Sequence, residues 1–237
     1  MPTRACISLT YDDAVPVHRT LVAPSLSARG LRGTFYTPAG AGDLLEQRDA
    51  WRAVAEAGHE LGNHTCFHPC RGRPGAAWPT REYDMRTYTL KRFVDEVAFA
   101  DRVLRAIDGK TVRSFAATCG NVTVGEGAEE VNVVEAIKPY ANCIRTGHSD
   151  QPLASAPYLV PAFGGDGKVA APLIAAIDAA IAANAWLVLL FHGVGPTHGL
   201  NIAEVEHTAV IDHLAAQVKA GRTRALPVVD VYPEFAA

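Results

Sequence analysis

Long apolar runs are missing from this 237-residue chain: the longest, Ala185 to Phe191, falls well short of the roughly 20 residues a membrane-spanning helix needs. Positive charge is not in excess either. Twenty-two Lys and Arg face 25 Asp and Glu, and the net charge of −3 offers no bulk attraction to a nucleic acid or an anionic membrane. The segment Met1 to Leu9 lacks the apolar stretch of a secretory or transit peptide. Cysteines number five, an odd count in a chain long enough to fold without disulfides. These two features together make a cytoplasmic protein the expectation. The 15 prolines and 20 glycines follow no period, which excludes collagen-like and low-complexity classes. No repeat and no linker-like change of composition divides the chain, so one domain over 1–237 is expected.

Hydrophobic residues make up 49% of the chain, enough for a substantial core. They fall into short apolar strands alternating with amphipathic helices, the pattern of an α/β fold with a mostly parallel sheet. Strands are expected at Ala5–Leu9 running into Thr10-Tyr11-Asp12-Asp13, at Gly33–Tyr36, at His59–Leu61, at Trp186–Phe191 and at Val228–Val231. Helices are expected at Val17–Ala28, at Trp51–Ala57, over Thr80–Ile107, around Leu173–Ile181, and through Ile211, Leu214 and Val218 up to Gly221. In the Thr80–Ile107 helix Phe93, Val97, Ala100, Leu104 and Ile107 share one face, with Gly109 as the stop. Pro69–Pro79, Gly120–Gly127 and Gly147–Lys168 read as long loops, which in a compact fold usually serve function.

Three polar clusters follow the C-terminal ends of expected strands, where α/β folds build their sites. Asp12 and Asp13 are adjacent carboxylates, which repel one another unless a cation or a proton-transfer task occupies them. A solvated turn, or a cap on the next helix, is the competing reading. His64 and His68 stand four apart, stacked on one face if the segment is helical, and two imidazoles plus a carboxylate can grip a metal while leaving positions open. Against this stand two unrelated surface histidines, or a closed zinc site of His64, Cys66, His68 and Cys70 on an extended segment. His192 ends the Trp186–Phe191 strand before a glycine-rich loop, a position suited to a general acid or base, or to a core histidine bonded to a carbonyl.

Taken in order, these motifs resemble the polysaccharide deacetylase family, also known as the NodB homology domain or carbohydrate esterase family four. Thr10-Tyr11-Asp12-Asp13 is similar to its Thr-Phe-Asp-Asp block, His64-Thr65-Cys66-Phe67-His68 to its His-[Ser/Thr]-x-x-His motif, and Leu189-Leu190-Phe191-His192 to its Leu-x-x-His strand end. The resemblance implies a distorted (β/α) barrel. It also implies one divalent metal on Asp13, His64 and His68, zinc first with cobalt, nickel or iron as alternatives. Asp12 would be the base and His192 the acid. The implied reaction is hydrolysis of a non-peptide amide, N-deacetylation of an N-acetylated sugar or saccharide, with cyclic ureide hydrolysis or metal and carbohydrate binding without turnover as alternatives. Tyr11, Cys119 and Gly120 would line the substrate groove, with Trp78, Tyr158 and Phe163 available to stack on a sugar ring.

Two family motifs are altered. The Arg-Pro-Pro-[Tyr/Phe]-Gly motif corresponds to Ala116-Ala117-Thr118-Cys119-Gly120, so Ala116 stands where an arginine would hold the base; Arg113 or Arg145 is the candidate substitute. The aspartate that supports the acid histidine has Asp150 and Asp166 as candidates.

Overall fold

The computed structural model describes residues 4–40, 42–72, 79–147 and 152–236. Its strands are β1 (Cys6–Asp12), β2 (Gly33–Thr37), β3 (Glu60–Asn63), β4 (Phe115–Ala116), β5 (Thr123–Val124), β6 (Val131–Asn132), β7 (Ile144–Arg145), β8 (Leu159–Val160), β9 (Phe163–Gly164), β10 (Trp186–Phe191), β11 (Gly193–Val194), β12 (Asn201–Ile202) and β13 (Arg224–Ala225). The helices are α1 (Ala23–Ala28), α2 (Arg48–Glu56), α3 (Leu90–Asp108), α4 (Val134–Ile137), α5 (Ala170–Ala182), α6 (Glu204–Lys219) and α7 (Val228–Phe235). Nine strands form one sheet in the order β8-β7-β4-β3-β2-β1-β10-β9, with β13 also beside β1, and every pairing in it is parallel. This is the curled sheet of a distorted (β/α) barrel, as expected.

Strand parity sets what each face carries. In β1, Ile7, Leu9 and Tyr11 point into a cluster shared with Leu26, Trp51, Leu173 and Ile211 of the surrounding helices. The alternate residues Ser8, Thr10 and Asp12 point inward, where Thr10 Oγ1 donates to the Leu189 carbonyl at 2.8 Å and Ser8 Oγ accepts from Trp186 Nε1 at 3.0 Å. Asp12 is therefore the last inward side chain of a fully buried strand. Asp13 is the first residue beyond it.

Several expected elements change on folding. The Thr80–Ile107 helix begins only at Leu90, where Thr89 accepts from the Arg92 amide, and short 3₁₀ turns at Arg81–Tyr83 and Met85–Thr87 precede it. Gly109 does end it in the left-handed conformation. The Val228–Val231 strand is instead helix α7. Pro227 caps it, the Val228 and Val229 amides donate to Thr34 Oγ1 and Glu60 Oε2, and Val228, Val231 and Phe235 form its buried face. The expected loops at Gly120–Gly127 and Gly147–Lys168 contain β5 and the sheet strands β8 and β9, too short to show periodicity.

The cysteine reading is corrected as well. Cys70 and Cys119 form a disulfide, tying the loop after β3 to the loop after β4 across 49 positions, while Cys6, Cys66 and Cys143 are buried thiols. Among the described residues no helix is long and apolar enough to cross a membrane.

Candidate active site

The C-terminal ends of β1, β3, β7, β9 and β10 converge, and each delivers a polar side chain. Asp13, after β1, places Oδ1 3.5 Å from His64 Nε2 and 3.1 Å from His68 Nε2. The histidines do not reach this spacing on a helix. They lie in a loop after β3 in which Thr65 and His68 adopt positive φ, 64° and 53°, and a relay of short bonds stabilises the turn. Asn63 Oδ1 accepts from the Thr65 amide at 2.9 Å, and Thr65 Oγ1 accepts from the His68 amide at 3.0 Å. Asp13, Ala14 and Cys119 also have positive φ, so among the described residues five of the six non-glycine residues in that conformation border this one spot.

The protonation pattern suits a cation. The Ala116 carbonyl, 2.9 Å from His64 Nδ1, can only accept, so the proton sits on Nδ1 and the Nε2 lone pair faces Asp13. Burial pushes His68 down to about 4 despite Asp13, leaving it neutral. Burial alone would raise Asp13, but His64, His68 and His192 together hold its carboxyl well below the usual range. Asp13 Oδ1 and His64 Nε2 are both buried without a hydrogen-bond partner. Two orphaned polar atoms aimed at one point, with the His68 imidazole nitrogen beside them, make a donor set of the kind that holds a divalent metal, so these residues fit such an ion. The closed Cys₂His₂ alternative is excluded: Cys66 Sγ donates to the Glu96 carbonyl at 3.3 Å and Cys70 is in the disulfide.

Asp12 is 4% exposed and both its carboxylate oxygens take hydrogen bonds from Arg145 Nη2. Arg145 is 1% exposed and lies opposite Ala116 in the β4–β7 register. The guanidinium missing from β4 thus arrives from the next strand at the same level. Arg113, the other candidate, is spent on Asp101, Asp108 and the Leu61 carbonyl.

His192 donates from Nδ1 to Asp166 Oδ2 at 2.6 Å, and Asp166 Oδ1 accepts from the His192 amide at 3.0 Å. Burial works against a charged His192, but the Asp166 hydrogen bond and the charges of Asp12, Asp166 and Asp13 outweigh it and raise its pKa. The other support candidate, Asp150, lies outside the described residues, as does Trp78.

The expected groove residues fare less well. Tyr11 is fully buried, stacked near Phe35 and Phe191 with its hydroxyl 2.9 Å from His207 Nε2, because its parity turns it to the helix side. Cys119 contributes a half-cystine rather than a free thiol, and Gly120 donates its amide to the Ala117 carbonyl at 2.9 Å, so that amide is not open to substrate. Tyr158 donates to the Ala141 carbonyl at 2.9 Å, and Phe163 packs against the main core; both serve local packing. One neighbour went unrecognised in the sequence: His198, whose Nε2 lies 3.6 Å from Asp13 Oδ2. A second histidine in the glycine-rich stretch after His192 was the available signal.

The fold is an α/β barrel, and at its strand ends Asp13, His64 and His68 form a group that could hold a metal ion, beside the Asp12–Arg145 and His192–Asp166 pairs. The polysaccharide deacetylase family model matches residues 2–132, and the chain belongs to that family. That match takes in Asp12, Asp13, His64 and His68 and stops before Arg145, Asp166 and His192. No curated protein matches significantly. Among solved structures, the Xyl-CE4 domain of a multidomain xylanase from the hindgut metagenome of Trinervitermes trinervoides has a TM-score of 0.57 at 12% identity, covering 98% of this chain and 91% of that one. The peptidoglycan deacetylase PdaC of Bacillus subtilis gives 0.55 at 14%, covering 98% and 92%. A CE4 family pseudoenzyme of Bacillus anthracis gives 0.57 at 14%, covering 100% and 68%. At these identities the likeness is one of fold.

Proposed function

We propose that the protein is a metal-dependent hydrolase of a non-peptide amide, removing the acetyl group from an N-acetylated sugar or saccharide, with 1–237 acting as one catalytic domain. The observation that carries this reading is the meeting of the Asp13–His64–His68 triangle with the Asp12–Arg145 and His192–Asp166 pairs at one sheet edge. Asp13, His64 and His68 would hold one divalent ion, zinc first among zinc, cobalt, nickel and iron for such a borderline donor set. The ion, when bound, supplies Lewis acidity toward the amide carbonyl and lowers the pKa of water.

The chain's own groups handle the protons. Asp12 accepts one as general base, its carboxylate oriented by the Arg145 guanidinium. His192 keeps its Nδ1 proton on Asp166 and carries the second on Nε2, which its raised pKa favours near neutral pH. It releases that proton to the departing amine nitrogen, leaving a free amine and a carboxylic acid. The intact Arg145–Asp12 contact favours turnover over mere binding, because the base keeps its support although Ala116 cannot provide it. The Cys70–Cys119 disulfide removes the cysteine argument for a reducing cytoplasm, since such bonds persist in oxidising compartments.

The test is a screen of the zinc-loaded protein on N-acetylated sugars and oligosaccharides beside allantoin-like ureides, with chelator controls. Acetate release that chelation abolishes is the expected result. His192→Asn should lose activity and keep zinc, and Asp13→Ala should lose both. Ureide hydrolysis alone would transfer the reading to that substrate class. Zinc binding with no turnover on any compound would make this a binding protein and end the enzymatic proposal.

A further inference from the structure

The loop after β10 is built around one side chain. β11 and β12 pair in parallel and pinch off 195–200; Gly193 donates to the Leu200 carbonyl and Gly195 to the Ile202 carbonyl, both at 2.9 Å. Inside it Thr197 donates from its amide to Gly195 and from Oγ1 to the Val194 carbonyl, while Asn201 Nδ2 donates to the His198 carbonyl at 2.7 Å. The loop folds down so closely on Gly193 that a Cβ there would stand 2.8 Å from His198 Cβ and 3.0 Å from its amide nitrogen. Only glycine permits this approach. Its result is to hold the His198 ring parallel to His192, centroids 5.5 Å apart at 8°, with Nε2 toward Asp13 Oδ2.

We infer that His198 is a positioning residue for the metal-ligating carboxylate. It engages Asp13 Oδ2, so that Oδ1 is the oxygen presented to His64 and His68. The inference rests on the metal site described above and adds a residue to it. Its chemistry follows from the ring's two ends. The Leu200 amide donates to Nδ1 at 3.1 Å, which puts the ring proton on Nε2. The Leu200 carbonyl lies 3.0 Å from the same Nδ1 and would favour the other tautomer, but that tautomer would set a bare Nε2 lone pair against a carboxylate oxygen. The 3.6 Å separation from Oδ2 closes to a hydrogen bond with a shift of under about 1 Å. A carboxylate tied at one oxygen has less freedom to rotate away from a cation at the other, and partners of this kind are worth about 10–100-fold in metal affinity.

Zinc affinity measured by chelator competition on the purified full chain tests this, together with the visible spectrum of the cobalt(II)-loaded protein. His198→Ala should weaken zinc binding about 10–100-fold while leaving the thermal midpoint and the cobalt spectrum at saturating metal unchanged. His198→Gln, whose amide can donate to Oδ2, should recover most of the affinity. Unchanged affinity in His198→Ala overturns the inference. So does a cobalt spectrum altered in His198→Ala, which would make His198 a ligand, or a Gln variant as weak as Ala. If Asp13→Ala binds zinc like the wild type, the metal-site reading itself fails, an outcome separate from any result at His198.

Discussion

Asp12 sits buried at the end of a strand, and its guanidinium partner comes from β7 rather than β4. Removing that partner leaves a buried carboxylate without its orienting donor. Arg145→Ala should therefore lower kcat by about 100-fold, within the range a positioned general base contributes. The relocated pair, Ala116→Arg with Arg145→Ala, should regain part of the loss, because the two positions are register partners. Steady-state kinetics on whichever amide is turned over provides the check, and an unchanged kcat in Arg145→Ala would remove the role. At this scale the sequence was informative where a residue type is rare and chemically specific: Asp12, Asp13, His64, His68 and His192 all reach one place. It misplaced Tyr11 in the substrate groove, because the side that a strand residue faces depends on the helices packed over it. His198 was equally hidden, since its approach depends on a glycine contact formed only on folding.

Elements were legible where pattern and packing agree. The stripe from Phe93 to Ile107 is buried in α3 as its spacing requires, and Trp186–Phe191 is a strand over its full length. They were misread where local preference and tertiary bonding conflict. Valines 228, 229 and 231 favour a strand, yet the amides at the start of α7 are better satisfied by Thr34 and the buried Glu60 carboxylate. The His64–His68 spacing suggested a helix that positive φ at Thr65 and His68 forbids. The Cys70–Cys119 bond holds this same loop to the one after β4. A double Cys70→Ser, Cys119→Ser variant should lose about 2–4 kcal/mol of stability, as typical for a native disulfide. Urea midpoints with and without a dithiol reductant measure it. A reductant that shifts the wild type no more than the double variant would mean that the bond does not form in solution.

For the molecule as a whole, stability is tied to histidines kept neutral. Burial pushes His18, His59 and His207 each down to about 4, against an ordinary value of 6.5. Because the folded values are depressed, the unfolded chain binds more protons than the native one between those limits. Stability is therefore full above about pH 6.5 and declines as the pH falls toward about 4. At pH 5 each such histidine costs on the order of 2 kcal/mol. The urea midpoint should thus drop clearly between pH 7.5 and pH 5; a flat profile would mean that these rings gain protons without unfolding. A mostly parallel sheet was expected from the alternation of elements, and the parallel course of its strands explains why residues from 12 to 192 gather at one rim.

The opposition of Ala116 and Arg145 reaches beyond this chain. In a parallel sheet, neighbouring strands end side by side, so a charge deleted from one can be reinstated from the next without disturbing the cavity between them. A scan of linear signatures registers a deletion at Ala116, whereas in the fold a guanidinium from Arg145 still meets Asp12. A motif can then be lost from the sequence while its charge is kept at the rim of the barrel.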